Sequence, residues 1–150
     1  MILTTHIITG AILASKIVNP YYAAFVAIFS HYFLDNFNHW DYSIKSILNK
    51  EDRNYKNYFI SLLKIAADFA TGFLLIFLFA KNSSLNMALF GGFFGALPDG
   101  FLFLSTFSPL NKFLKPHTDF HKIIHSDKKL PLKKGAAIQT IIILISLLLI

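Results

Sequence analysis

Five stretches of this chain, roughly 2–18, 20–37, 58–80, 84–107 and 135–150, are strongly apolar and poor in charge. At about 20 apolar residues per bilayer crossing, each is near or somewhat below the length of a membrane-spanning helix. Hydrophobic residues make up 55% of the 150 positions, and 17 of those are Phe, more than a soluble domain of this size needs for a core. The expected fold is an all-α, polytopic membrane bundle of about five apolar helices, forming one integral membrane domain over residues 1–150. As a helix the last stretch covers only about 24 Å, so it and the first are short spans. The N-terminal run has no preceding basic residue and no small-residue cleavage site, which reads as a retained segment and not a signal peptide.

The connections divide into two kinds. "VNPYY" and "KNSS" are tight turns: Asn19 and Pro20 end one helix and start the next, and Ser83 or Ser84 is placed to cap the fourth. The other two, 38–57 and 108–134, hold every Lys and Arg except Lys16, Lys64 and Lys81, including Lys50 and Arg53. By the positive-inside rule both face the cytoplasm, which puts the N-terminus inside and the chain in the inner (cytoplasmic) membrane. The net charge of +6 thus reflects topology and attraction to membrane lipid; the pattern does not resemble a nucleic-acid surface. The chain has no Cys, which excludes disulfides, thiolate nucleophiles and Cys-ligated zinc.

Apolar surroundings make the ionisable residues informative, because a buried imidazole or carboxylate without a partner costs several kcal/mol. The topology gathers His6, His31, Asp35, His39, Asp99, His117, His121 and His125 toward one side of the membrane. His31, Asp35 and His39 follow at i, i+4 and i+8, so a continuous helix would line them on one face, with the two histidines about 12 Å apart along the axis. His6, His31, Asp35, Asp99, His121 and His125 are the expected metal ligands, an N/O set suited to Zn first, with Mn or Fe as alternatives. His39 would serve a second ion or handle protons, and His117 is the other proton-handling candidate. His121 and His125 share a short interfacial helix in "HTDFHKIIHSD", capped by Thr118 or Asp119. In "GGFFGALPDG" the glycines permit close helix contact, and Pro98 and Gly100 are expected to break or kink the helix at Asp99. Lys64 and Asp68 read as an i, i+4 pair, and Asp41 as a solvated residue at a helix exit, with a share in the site alongside Asp35 and His39 as its alternative.

The N-terminal "TTHIITG", the central "ALPDG" and the late "HKIIHS" together resemble the YdjM-like family of membrane-bound metal-dependent hydrolases. Those proteins carry an early His, a Leu-Pro-Asp-x-Asp-His motif and a late His-Arg-Gly-x-Thr-His-Ser motif. His6, Asp99 and the trio His121, His125 and Ser126 take the matching places. "DGFL" stands where the family has the rest of the Asp-x-Asp-His motif, and the late histidines are one residue closer together. His31 and Asp35 are also similar to a ligand pair of zinc-dependent phospholipase C proteins. The resemblance implies hydrolysis, and the residues suggest a phosphoester or related bond of a lipid or headgroup-bearing substrate. A metal-ion carrier, or a non-catalytic membrane assembly or lipid-binding protein, are the alternatives.

Overall fold

The computed structural model describes residues 1–48, 54–81, 84–126 and 128–149; Lys50, Arg53 and Ser83 lie outside them. The chain is all-helical, with seven helices among the described residues: α1 (Leu3–Ser15), α2 (Pro20–Asp35), α3 (Lys45–Leu48), α4 (Tyr55–Phe79), α5 (Leu85–Leu104), α6 (Ser108–Ile124) and α7 (Leu132–Leu149). Three of these, α4, α5 and α7, are long and apolar enough to cross a membrane. Their outward residues, such as Leu74 and Phe77 on α4 and Leu148 on α7, are exposed apolar side chains suited to lipid.

The first helix is no lipid-facing span. It has 13 residues, about 20 Å of helix, and packs against α2, α4, α5 and α7. Ile7, Ile8 and Ala11 are wholly buried in the core it forms with Ile76 and Ala88. Its crossing with α5 is a backbone contact: a Cβ at Gly95 would lie 2.5 Å from the His6 carbonyl oxygen, and one at Gly91 would collide with Ala14 Cβ and the Gly10 carbonyl. Only glycine allows this approach, which brings His6 beside the helix that carries Asp99.

Polar side chains from other helices cap the N-terminus of α1. Asp68 on α4 accepts from Leu3 N–H at 2.7 Å and from Thr4 N–H at 3.0 Å, and Tyr42 donates to it at 3.0 Å. Gln139 on α7 accepts from Ile2 N–H at 2.8 Å and donates to the Trp40 carbonyl at 2.9 Å. A carboxylate here meets otherwise orphaned donors and the positive end of the helix dipole. This corrects the expected Lys64–Asp68 pair: the buried helix terminus outcompetes an exposed lysine for the carboxylate.

Helix α2 has two contrasting faces. Ala23, Ala27, His31 and Asp35 form a buried stripe at i, i+4 spacing, while Phe25, Phe29 and Phe33 stack outward. Asn19 caps it as expected, accepting from Tyr21 N–H and Tyr22 N–H. The helix ends at Asp35, however, so His39 is not on its face. A turn through Asn36 and Phe37 folds the chain back.

Three other expectations require correction. Helix α5 runs unbroken through Pro98 to Leu104. Ser84 stands at its N-cap without capping, its hydroxyl donating instead to the Lys81 carbonyl. Helix α6 begins at Ser108, with Pro109 in its first turn, and is 17 residues long rather than a short element capped at Thr118 or Asp119. Thr118 bonds back to the Lys115 carbonyl inside it, and His125 is its C-cap residue. Past α6, Ser126 N–H donates to the Asp35 carbonyl and Leu130 N–H to the His39 carbonyl, both at 2.9 Å, tying the two loops together.

Gly95→Val should separate α1 from α5, costing about 1–3 kcal/mol or preventing folding. Gly100→Ala, whose Cβ meets nothing within 4 Å, should be neutral or stabilising by about 0.5–1 kcal/mol. Thermal unfolding in detergent, followed by circular dichroism and size-exclusion profile, distinguishes the two.

Candidate metal centre

Three helices bring four donor atoms together. Helix α2 supplies His31 and Asp35, α5 supplies Asp99, and α6 supplies His121. His31 Nε2 lies 3.4 Å from His121 Nε2, 3.3 Å from Asp35 Oδ2 and 3.7 Å from Asp99 Oδ1. His121 Nε2 is 3.4 Å from Asp35 Oδ2 and 3.6 Å from Asp99 Oδ1. Ligands bound tetrahedrally at 2.0–2.1 Å stand about 3.3–3.4 Å apart, whereas octahedral neighbours stand about 3.0 Å apart. The three spacings among His31, Asp35 and His121 match ligands of one tetrahedral cation, and Asp99 stands slightly farther off, with all four atoms within 4.8 Å of one another.

The hydrogen bonds behind these ligands fix their protonation. His31 Nδ1 is 2.9 Å from the Gly95 carbonyl, which only accepts, so Nδ1 carries the proton and Nε2 turns its lone pair toward the group. Gly95 is also a glycine that admits α1, so one residue of α5 sets both the helix contact and the ring. Asp35 is buried, and its Oδ2 accepts no well-aligned hydrogen bond despite two imidazoles within 3.4 Å. The two imidazoles also face each other, Nε2 to Nε2 at 3.4 Å, so that the three atoms form the close triangle that ligands of one ion make.

Electrostatics agree with that fit. Burial works against a charge on His121, yet Asp35 and Asp99 outweigh it and push the pKa up to about 9. The pair of carboxylates demands a positive charge between them. The least covered member is Asp99, with 28% of its side chain accessible, against 5% for His121, 2% for Asp35 and none of His31. Approach to the group is from the Asp99 side.

A second group adjoins the first. Asp35, His39 and His125 also place ligand atoms within 4.8 Å of one another. His39 Nε2 is 3.2 Å from both His125 Nε2 and Asp41 Oδ2. Burial lowers the pKa of His125, while that of Asp41 is held down, against its burial, by His39 and the Met1 ammonium.

His6 is fully buried and stacks on His31 with ring centroids 3.9 Å apart, its Nε2 3.1 Å from Asp35 Oδ1. It touches the carboxylate without joining either group. His117 stands beside the cluster: Nε2 donates to the Pro98 carbonyl at 3.0 Å, so Nδ1 accepts from the Tyr32 hydroxyl at 3.1 Å. With both nitrogens engaged, His117 braces α6 against α5 and α2. The loop after α2 turns Asp41 inward, a residue the sequence presented as solvated. Gln139 was passed over, although a lone amide inside the apolar run "AAIQTIIILIS" was a visible sign of a buried hydrogen-bonding role.

Comparison with family models, with curated proteins and with solved structures finds no match to this chain.

His31→Ala should lower Zn²⁺ affinity at least tenfold, because it removes one of four ligands and leaves Asp35 poorly compensated. Lys64→Ala, remote from the group, should leave it unchanged. Competition titration against a chromogenic chelator, with helix content as the folding control, measures both.

Proposed function

We propose that this chain is a membrane-embedded metal-dependent hydrolase acting on a phosphoester or related bond of a lipid or headgroup-bearing substrate. The observation that carries the reading is the four-donor group of His31, Asp35, Asp99 and His121, set within 4.8 Å of one another with one accessible edge. A divalent cation held there supplies Lewis acidity and acidifies water toward a pKa of about 7. The chain's own residues do the rest. Gly95 fixes His31 through its carbonyl, and the aromatic rings of Tyr32 and Phe120 cover the His121 side. Asp99, at the open edge, is the ligand that an incoming substrate meets first.

The surroundings favour a lipid. A cleft of about 500 Å³, lined by Leu34, Phe37, Leu130, Ile138 and Ile142 with Met1 at one wall, opens beside the second group. An acyl chain fits such a lining, with its polar end toward the histidines. Helix α6 adds an amphipathic surface, with Phe113 and Ile123 exposed beside Lys112, Lys115 and Lys122. Such a helix lies in the headgroup plane and attracts anionic phosphate. Together with the positive-inside pattern, this supports a centre at the cytoplasmic face of the inner membrane.

Detergent-solubilised protein supplied with Zn²⁺ or Mn²⁺ should hydrolyse lipid phosphates or small aryl phosphates in a direct screen. Asp99→Asn should reduce turnover by about 100-fold or more while helix content is retained, since it keeps the shape and removes the charge that offsets the cation. Activity unchanged in that variant refutes the site, and a metal-loaded wild type inert toward every substrate tried would favour the carrier.

The orientation has its own test, which is clean because the native chain has no Cys. Cysteines introduced at Lys56 and Lys128 should resist impermeant reagents in intact cells and react after lysis. A cysteine at Val18, which is 97% exposed in the α1–α2 turn, should react in intact cells. The reverse pattern would invert the topology.

A further inference from the structure

We propose a second divalent-cation site, formed by His39, Asp41 and His125 and sharing the Asp35 carboxylate with the first. This inference rests on the first group holding an ion and adds the number of ions and the ligands of the second.

The two oxygens of Asp35 face different ways. Oδ2 lies 3.3 Å and 3.4 Å from the His31 and His121 nitrogens, whereas Oδ1 lies 2.8 Å from the Met1 α-amino nitrogen. That nitrogen is also 2.8 Å from His39 Nε2 and 3.0 Å from Asp41 Oδ1. Three acceptor atoms, from Asp35, His39 and Asp41, thus surround one positively charged nitrogen beyond the first group, which marks the place as cation-seeking. The histidines there repeat the geometry of the first pair. His39 and His125 oppose their Nε2 atoms at 3.2 Å, close to the about 3.3 Å spacing of two imidazoles on one tetrahedral ion.

His39 is also held in the ligating tautomer. Its Nδ1 is 2.7 Å from the Phe37 carbonyl and must donate to it, which leaves Nε2 with a lone pair. Asp41 Oδ2 lies 3.2 Å from His39 Nε2 and 3.7 Å from His125 Nε2, while its buried Oδ1 has no well-aligned hydrogen bond. His39 Nε2, Asp35 Oδ1 and Asp41 Oδ1 share one partner, the Met1 ammonium, whose place a cation would take. The loop pairing of Leu130 N–H with the His39 carbonyl holds His39 and His125 together independently of any ion. Two cations sharing one carboxylate make a pair able to hold both the attacking and the leaving oxygen of an in-line displacement.

The experiment is metal stoichiometry on the full chain in detergent after loading with Zn²⁺ and desalting, together with electron paramagnetic resonance of the Mn²⁺-loaded protein. The wild type should retain about two Zn²⁺ per chain and show a spin-coupled Mn²⁺ pair. His39→Ala should fall to about one, with an isolated Mn²⁺ signal. His125→Gln, at the partly exposed end of α6, provides the same test with less risk to folding. Asp35→Asn should weaken both ions. A wild type that holds one ion, with no loss in His39→Ala or His125→Gln, would overturn the second site and leave the first standing. Two ions unaffected by either variant would overturn it as well, and no bound ion would overturn both sites.

Discussion

A carboxylate with almost no access to water lies at the centre of this protein, and much of the surrounding structure offsets its burial. Asp35 is 1% exposed. Leaving an ionised group there unpaired costs several kcal/mol, more than most single interactions in a domain this size return. His6 from α1, His31 from its own helix, His121 from α6 and the Met1 amino group all lie within 3.4 Å of its oxygens. Those partners come from three helices and the N-terminal residue, so Asp35 ties together segments far apart in sequence. It also belongs to both groups of candidate ligands.

Small residues make that convergence possible. Gly10, Gly91 and Gly95 let α1 and α5 meet backbone to backbone, and Ala23 and Ala27 line the inner face of α2. Small side chains at helix contacts suit a protein in lipid, where apolar burial between helices returns little and close packing must hold the bundle. The same closeness puts the Gly95 carbonyl within reach of His31 Nδ1, so the packing contact and the orientation of the ligand share one cause. Because α1 is surrounded, its N-terminus has no water to satisfy it. Asp68 and Gln139 supply the missing acceptors from α4 and α7, and in doing so hold Met1 and His6 against the site.

The apolar segments, the hairpin turn at Asn19 and Pro20, and the gathering of His31, Asp35, Asp99 and His121 within a larger set that also held His6 and His125 were legible from spacing and hydropathy. Hydropathy reports which residues leave water, and a four-residue spacing reports which share a face; both are local properties. What the chain pattern misplaced were matters of competition between distant partners. Asp68 was assigned to Lys64 because they are four residues apart, yet two N–H groups of another helix offer it a better environment. Proline and glycine around Asp99 signalled a break, but packing against α1, α2 and α6 carries α5 through.

The sequence by itself determined that this is a helical membrane protein with imidazoles and carboxylates too numerous and too apolar in setting to be incidental. Tertiary structure decided that α1 is the enclosed helix, that Asp41 turns inward, and that Asp35 lies within reach of both groups. The physical reason is that these depend on where α2 ends and on how loops 36–44 and 125–131 pair. A single backbone turn at Asn36 moves His39 from a position about 12 Å beyond His31 along a helix axis to within 4.8 Å of the carboxylate it follows. Periodicity continues a helix; only the competing contacts made by the rest of the fold decide where it stops.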